Sequence, residues 1–390
     1  MRFLMRIKWN SSSIFTVGYM CFLIGYIISA SQIAKLYVLL MTIRSFLRII
    51  GYVCCLYGII TCKLTVFRLT IILFLISSAL LSRIITGMDY LFVDFFLIAA
   101  VQGVDKRKLI ATELVVRITC LALLYLTVRL GIISDYVGYR DGVPVRFSWG
   151  FNHPNRLGLH LLAISLDIFF LYHGKLKAIH WSGLAILALI ANFVADSRAP
   201  FFCIIMVFMA EITCIVCRKI KDNKKGAKLK FMSYFLLSSC VFISFIVPYL
   251  FNNGFLIVEG ESNTIGSRII KASYALNNFS IPFWSQKLEN IGIMEAIEKG
   301  IIATGIDNLY VHLILNFGIV FFVIFIGLFF CTIYHLYKTN NNVAMICFLI
   351  FIIFGVVENT AYVIECNLFL LYIGEAILDK KQIDYVYHNT

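Results

Sequence analysis

The chain has 390 residues, 61% of them hydrophobic and 14% charged, with a formal net charge of +13. That apolar content exceeds what a soluble core absorbs, and apolar runs of transmembrane length recur, so a soluble globular class is excluded. The positive charge gathers in short loops on one side of the predicted spans, which is the positive-inside pattern and not a nucleic-acid surface.

The first predicted span, about 14–34, follows Arg2, Arg6 and Lys8 and is read as a retained helix, because Ala30-Ser31-Gln32 makes a poor cleavage site. Spans at about 46–62, 66–85 and 89–103 follow, the last of them the shortest and carrying Asp94. Lys106-Arg107-Lys108 marks an inner loop. The fifth span, about 109–133, contains Glu113 and Arg117, which share a helix face and neutralise each other at membrane depth. An outer loop occupies 134–156, and the sixth span runs from Leu157 to about Tyr172.

The seventh span is about 178–194, and Asp196-Ser197-Arg198-Ala199-Pro200 makes a tight outer turn into the eighth, about 201–217. The next loop, 218–230, carries Arg218, Lys219, Lys221, Lys224, Lys225, Lys228 and Lys230, the strongest inside marker of the chain. The ninth span, about 231–250, leads to one long outer insert, roughly 251–308, too long for a plain connection and expected to hold short helices. Spans at about 309–335, 343–357 and 363–378 complete an all-α, polytopic fold of about twelve spans in a single membrane domain, with both termini inside. The twelve cysteines lie almost entirely inside apolar runs. Cys214 and Cys217 form a CxxC without a partner pair, so buried thiols are expected and no metal.

The sixth, eighth, tenth and twelfth spans start on the outer side, and each start is polar. The first is the stretch Gly150-Phe151-Asn152-His153-Pro154-Asn155-Arg156-Leu157-Gly158. Pro154 suits a first helical turn, and Asn152 or Asn155 can cap it. The others are Asp196 to Arg198, Asp307 to Tyr310, and Glu358 to Asn367. A helix start presents free N–H groups and partial positive charge, which favour an anion. Arg140, Arg146, Arg156, Arg198 and Arg268 add planar forks suited to phosphate. Asn152, Asn155, Ser197, Asn308, Tyr310, Asn359 and Asn367 are further candidate binding residues. Each piece alone also reads as a cap, a turn or an interfacial charge; the combination is what points to a lipid-linked phosphate or pyrophosphate.

The combination resembles the Wzy-type polysaccharide polymerases. The stretch from Gly150, then Asp196-Ser197-Arg198, then Gly266-Ser267-Arg268-Ile269 in a long external loop follow that family's layout. Gly305-Ile306-Asp307-Asn308-Leu309-Tyr310, then Asn316-Phe317-Gly318, and Glu358 with Asn367 fit the same pattern. The likeness covers roughly 145–375; the preceding third matches only in hydropathy. It implies an enzyme of the bacterial plasma membrane that joins undecaprenyl-pyrophosphate-linked oligosaccharide units at the external face, for capsular or O-antigen polysaccharide. The lipid pyrophosphate would be the leaving group, and His153, Asp307 or Glu358 the base for the acceptor hydroxyl. No cofactor or metal is implied; partners would be the lipid-linked oligosaccharide, a flippase and a chain-length regulator. Two alternatives stand beside it: a flippase for the same units, and an O-antigen ligase of the same superfamily.

Overall fold

A computed structural model of the chain describes residues 10–62, 65–140, 143–218, 225–257, 264–288 and 305–378. The fold is helical: α1 (Ser11–Ser29), α2 (Val38–Thr61), α3 (Val66–Thr86), α4 (Tyr90–Ala100), α5 (Lys106–Arg129), α6 (Pro154–Tyr172), α7 (Ala178–Leu189), α8 (Arg198–Arg218), α9 (Lys225–Asn252), α10 (Thr264–Asn278), α11 (Leu309–Lys338), α12 (Asn342–Phe354) and α13 (Tyr372–Leu378). An antiparallel hairpin of β1 (Val137–Arg140) and β2 (Val143–Phe147) stands where only an outer loop was expected. Val143, Val145 and Phe147 suit a strand and explain it.

Eight of these helices are long and apolar enough to cross a membrane, so the chain is a multi-pass membrane protein by length and composition. The expectation of twelve spans is corrected. Tyr90–Ala100, Ala178–Val194, Asn342–Phe354 and Leu368–Ile377 are apolar but have only 10 to 17 residues. At about 1.5 Å per residue, an eleven-residue helix rises only about 16 Å against a hydrocarbon core of about 30 Å. α4 and α12 are instead wrapped by their neighbours: Val93, Phe95 and Leu97, like Ala344, Met345 and Phe348, are buried. The sequence pattern could not tell a lipid-facing run from a protein-buried one, because both are simply apolar.

The proposed twelfth span is not one helix. Residues 359–362 and 368–371 are 3-10 turns, and only Tyr372–Leu378 is α-helical. β-branched Val356, Val357, Val363 and Ile364 and the amides of Asn359 and Asn367 disfavour a continuous α-helix here. Such backbone is tolerated at membrane depth because protein surrounds it, and Ile364, Cys366 and Leu371 are fully buried.

Backbone and side-chain contacts tie the bundle's two ends. At one end the Asp105 amide donates to Ser12 (3.2 Å), and Arg107 donates to the Leu171 carbonyl (2.8 Å). There Lys106 pairs with Glu375 at 2.7 Å, and Lys230 lies 4.8 Å over the Tyr334 ring. At the other end the Gln32 amide donates to the Gly150 carbonyl (2.8 Å), and the Asn152 amide to that of Ala30 (2.9 Å). α12 links the two: Asn341 donates to the Tyr372 hydroxyl at one end, and the Leu309 amide to the Gly355 carbonyl at the other.

Several charged positions named above lie outside the described residues: Arg2, Arg6, Lys8, Lys219, Lys221 and Lys224, the side chains of Arg218, Lys225 and Lys228, and 258–263 and 289–304 of the 251–308 insert.

Candidate functional site

The site is built around one carboxylate. Glu358 follows α12 in a turn and is held at the end of the bundle where α6 and α11 begin; its side chain is 13% exposed. Its Oε1 accepts from Arg268 Nη2 at 2.6 Å and from Asn155 Nδ2 at 3.1 Å. Asn155 in turn accepts from Arg146 Nη2 at 2.8 Å. Arg146, buried on β2, also donates to the Ala195 carbonyl (3.1 Å) and lies 3.8 Å from Asp196. On the other flank Arg268 donates to the Val357 carbonyl and lies 3.9 Å from Asp307, which also faces Lys271 at 3.6 Å. One connected polar chain thus runs from Arg146 through Asn155, Glu358 and Arg268 to Asp307 and Lys271.

Local folding explains the placement. α6 starts with Pro154 in its first turn, as expected, but its cap is His153 and neither asparagine. His153 Nδ1 accepts the Asn155 amide at 3.1 Å, which frees the Asn155 side chain to reach Glu358. A ring nitrogen that accepts an N–H carries no proton, so a neutral ring holds its hydrogen on Nε2. The ring sits 6.0 Å from Tyr136. One turn on, Gly158 lets the Asp196-Ser197-Arg198 turn press against α6: a Cβ there would lie 2.6 Å from the Ser197 Cβ. Asp196 adopts φ 40, a conformation that costs a non-glycine residue about 1–3 kcal/mol, so the surrounding contacts must impose it.

The remaining candidates separate by partner. Arg156 donates to the Tyr26 hydroxyl on α1 and its guanidinium lies 5.9 Å from that ring. Arg198, 48% exposed, lies 3.6 Å from Asp196. Asn152 is half-buried beside His153, and Ser197 is buried. Asn308 is fully used as a cap: its oxygen accepts from the amides of Tyr310 (2.9 Å) and Val311 (3.0 Å), and its NH₂ donates to Ser244 and Val356. Tyr310 is buried and donates to the Ile352 carbonyl, and Asn359 to that of Ile306 (2.7 Å). Asn367 lies deep in the bundle and donates to the Ala361 carbonyl. Arg140 lies in β1; its side chain is outside the described residues. Asn308, Tyr310, Asn359 and Asn367 therefore hold the frame.

Sequence reasoning passed over Tyr26, Asp196 as a partner of Arg146, and Lys271. Lys271 was discoverable: it stands three residues after Arg268, on the same helix face.

Electrostatically, burial pushes the Glu358 carboxyl above its ordinary range, with Asp307 adding to the rise, while Arg268 and Arg156 pull it back. Its second oxygen has no hydrogen-bond donor among the described residues, so one lone-pair face remains for a ligand hydroxyl. Among the described residues no group of three or more His, Cys, Asp or Glu side chains is placed to hold a metal. No protein-family model, curated protein or solved structure matches the chain.

Proposed function

We propose that the chain is a membrane glycosyltransferase that polymerises oligosaccharide units carried on a lipid pyrophosphate, of the Wzy polymerase type. The observation that carries the reading is the convergence of Arg146, Asn155, Arg268 and Glu358, from four separate segments, at one end of the bundle beside the starts of α6 and α11. Arg268, Lys271 and Arg156 supply positive charge for a departing pyrophosphate. Glu358, raised by burial, is the base for the acceptor hydroxyl. His153 is the weaker choice, since its one free ring lone pair is spent on the cap.

A lipid substrate has a matching surface. An apolar groove of about 730 Å³ runs between α9, α10 and α11, lined by Phe242, Phe245, Tyr249, Asn252, Ile326 and Phe330. Asn277, which also lines it, is nine residues from Arg268 on α10, about 13 Å along the helix. In this reading the site end faces outward and the Lys106, Lys175, Lys177 and Lys230 end faces the cytoplasm of a bacterial plasma membrane.

Purified protein in lipid, given a lipid-pyrophosphate-linked repeat unit and no nucleotide sugar, should release free lipid pyrophosphate and build long polymer. Transfer only to a different acceptor would make it a ligase. A flippase is the second reading, favoured by the buried interior charges Asp94, Glu113, Arg117 and Asp167. Flux of the intact unit across a vesicle, without new glycosidic bonds, would select it.

A further inference from the structure

The interior of the bundle holds acidic groups that the site above does not use. Glu365 sits at the break of the last apolar segment, fully buried, and neither of its carboxyl oxygens has a hydrogen-bond partner among the described residues. Asp94, on α4, is 1% exposed. Its Oδ1 accepts the Ile364 amide at 2.9 Å, and its Oδ2 has no partner among the described residues. Glu365 directly follows Ile364, so Asp94 is tied to the backbone one residue before it, and the Glu365 charge acts on Asp94.

The nearby guanidiniums make their hydrogen bonds to other groups, although Arg44 Nε, Arg48 Nε and Nη2 and Arg117 Nε have no partner among the described residues. Arg117 on α5 donates to the Glu113 carboxylate, and its contact with Glu365 is to the backbone carbonyl, at 2.9 Å. Arg48 on α2 pairs with Asp89. Arg44, Arg48 and Arg117 reach Glu365 through their fields, but no hydrogen bond from any of them to its carboxyl is found among the described residues. The other groups facing it are Tyr19 on α1, Tyr52 on α2, Tyr90 opening α4, and the neighbouring Cys366. These are neutral in their ordinary range at physiological pH. Two neighbouring carboxylates without a direct cation cannot both stay ionised in a water-poor interior.

The geometry points to a proton-binding site at the centre of the bundle, formed by the Glu365 and Asp94 carboxyls. Uptake of one proton removes one negative charge and leaves a single anion for the three surrounding guanidinium fields. An ionisable site at this depth, set on broken-helix backbone, is a functional position in a membrane protein. The inference does not depend on the polymerase reading.

The test is carbodiimide labelling of the purified full chain in detergent. Dicyclohexylcarbodiimide adds to a protonated carboxyl in apolar surroundings and leaves an N-acylurea that mass spectrometry locates. Labelling should fall on Glu365 or Asp94, decline as pH is raised, and vanish in the Glu365→Gln, Asp94→Asn double variant. Absence of label on both residues at every pH at which the protein stays folded would overturn the site. Glu365→Gln and Asp94→Asn each copy one protonated carboxyl, so at least one of the two single variants should unfold at the wild-type temperature. A marked fall in Tm in both would show that both carboxyls are held as anions by the guanidiniums, and would also overturn the proposal. Neither readout requires polymer, so failure here is distinct from failure of the polymerase reading.

Discussion

Arg268 and Glu358 meet at 2.6 Å across ninety positions of chain, and the same carboxylate oxygen holds Asn155. The pair joins α10, which lies in the long insert, to the turn after α12. It is half-buried, with the two side chains 16% and 13% exposed, so removing one partner strands the other in a poor solvent.

Arg268→Ala should lower polymer formation by roughly a hundredfold or more, the loss of about 2–4 kcal/mol expected for one preorganised donor. Arg268→Lys should not restore it, since the lysine cannot serve Glu358 and the Val357 carbonyl with one planar fork. Arg198→Ala, at a half-exposed position, should cost far less. Initial rates at matched protein levels check this; equal losses in the two alanine variants would return Arg198 to the centre of the site.

Glu358 predicts a pH profile. Its carboxyl lies above the ordinary glutamate range, so the rate should fall on the acid side at a pH higher than an exposed glutamate would give. The same shift acts on stability with a definite sign. A raised carboxyl favours the fold fully below the ordinary glutamate pKa, and that contribution is lost as pH rises through the raised value. Glu358→Gln should remove the activity at every pH, while its amide oxygen still accepts from Asn155 and Arg268. Wild-type polymer from this variant would dismiss Glu358 as the base.

His153 should behave as a cap. His153→Asn, which can accept the Asn155 amide, should fold and polymerise near wild-type rate. His153→Ala should lose about 0.5–2 kcal/mol of stability, seen as a lower Tm. An asparagine variant that folds normally but leaves repeat units unjoined would restore His153 as the base.

Gly158→Val tests the closeness of α6 and the Asp196–Arg198 turn. The added side chain would collide with Ser197 and Pro200, and overpacking of this kind costs about 1–3 kcal/mol. A variant with unchanged Tm and activity would mean the turn yields freely.

Sidedness can be read with single cysteines in a cysteine-free background. Asn278→Cys, exposed at the site end, should react with an impermeant thiol reagent in intact cells, and Lys177→Cys, exposed at the basic end, should not. The reverse pattern would place the site in the cytoplasm.

The membrane class, the start of α6 at Pro154 and the Glu113–Arg117 pair were legible because each rests on local chemistry: hydropathy, a proline in a first turn, and opposite charges four residues apart. The polar starts that meet at one end were legible as candidates, since charged residues at predicted helix ends stand out in an apolar chain. What was hidden is tertiary. Nothing local says that His153 caps while Asn155 reaches out, that Asn308 spends every hydrogen bond on framing, or that Tyr26 from the N-terminal third closes over Arg156. The number of spans failed for the same reason: α4 and α12 look like spans because what buries them is protein and not lipid.

The ninety-residue gap between Arg268 and Glu358 also sets an order of events during synthesis. At about 5–20 residues per second, Arg268 leaves the ribosome on the order of 5–18 s before Glu358. Through that interval its guanidinium has no Glu358 to pair with, and Asn155 and Arg146 have waited longer still. Whatever screens those groups meanwhile, water, lipid phosphates or the insertion machinery, must be displaced when the last apolar segment docks. The C-terminal segment is therefore the step that creates the site, and a chain stopped after α11 would carry a nearly complete bundle with none of its central carboxylate.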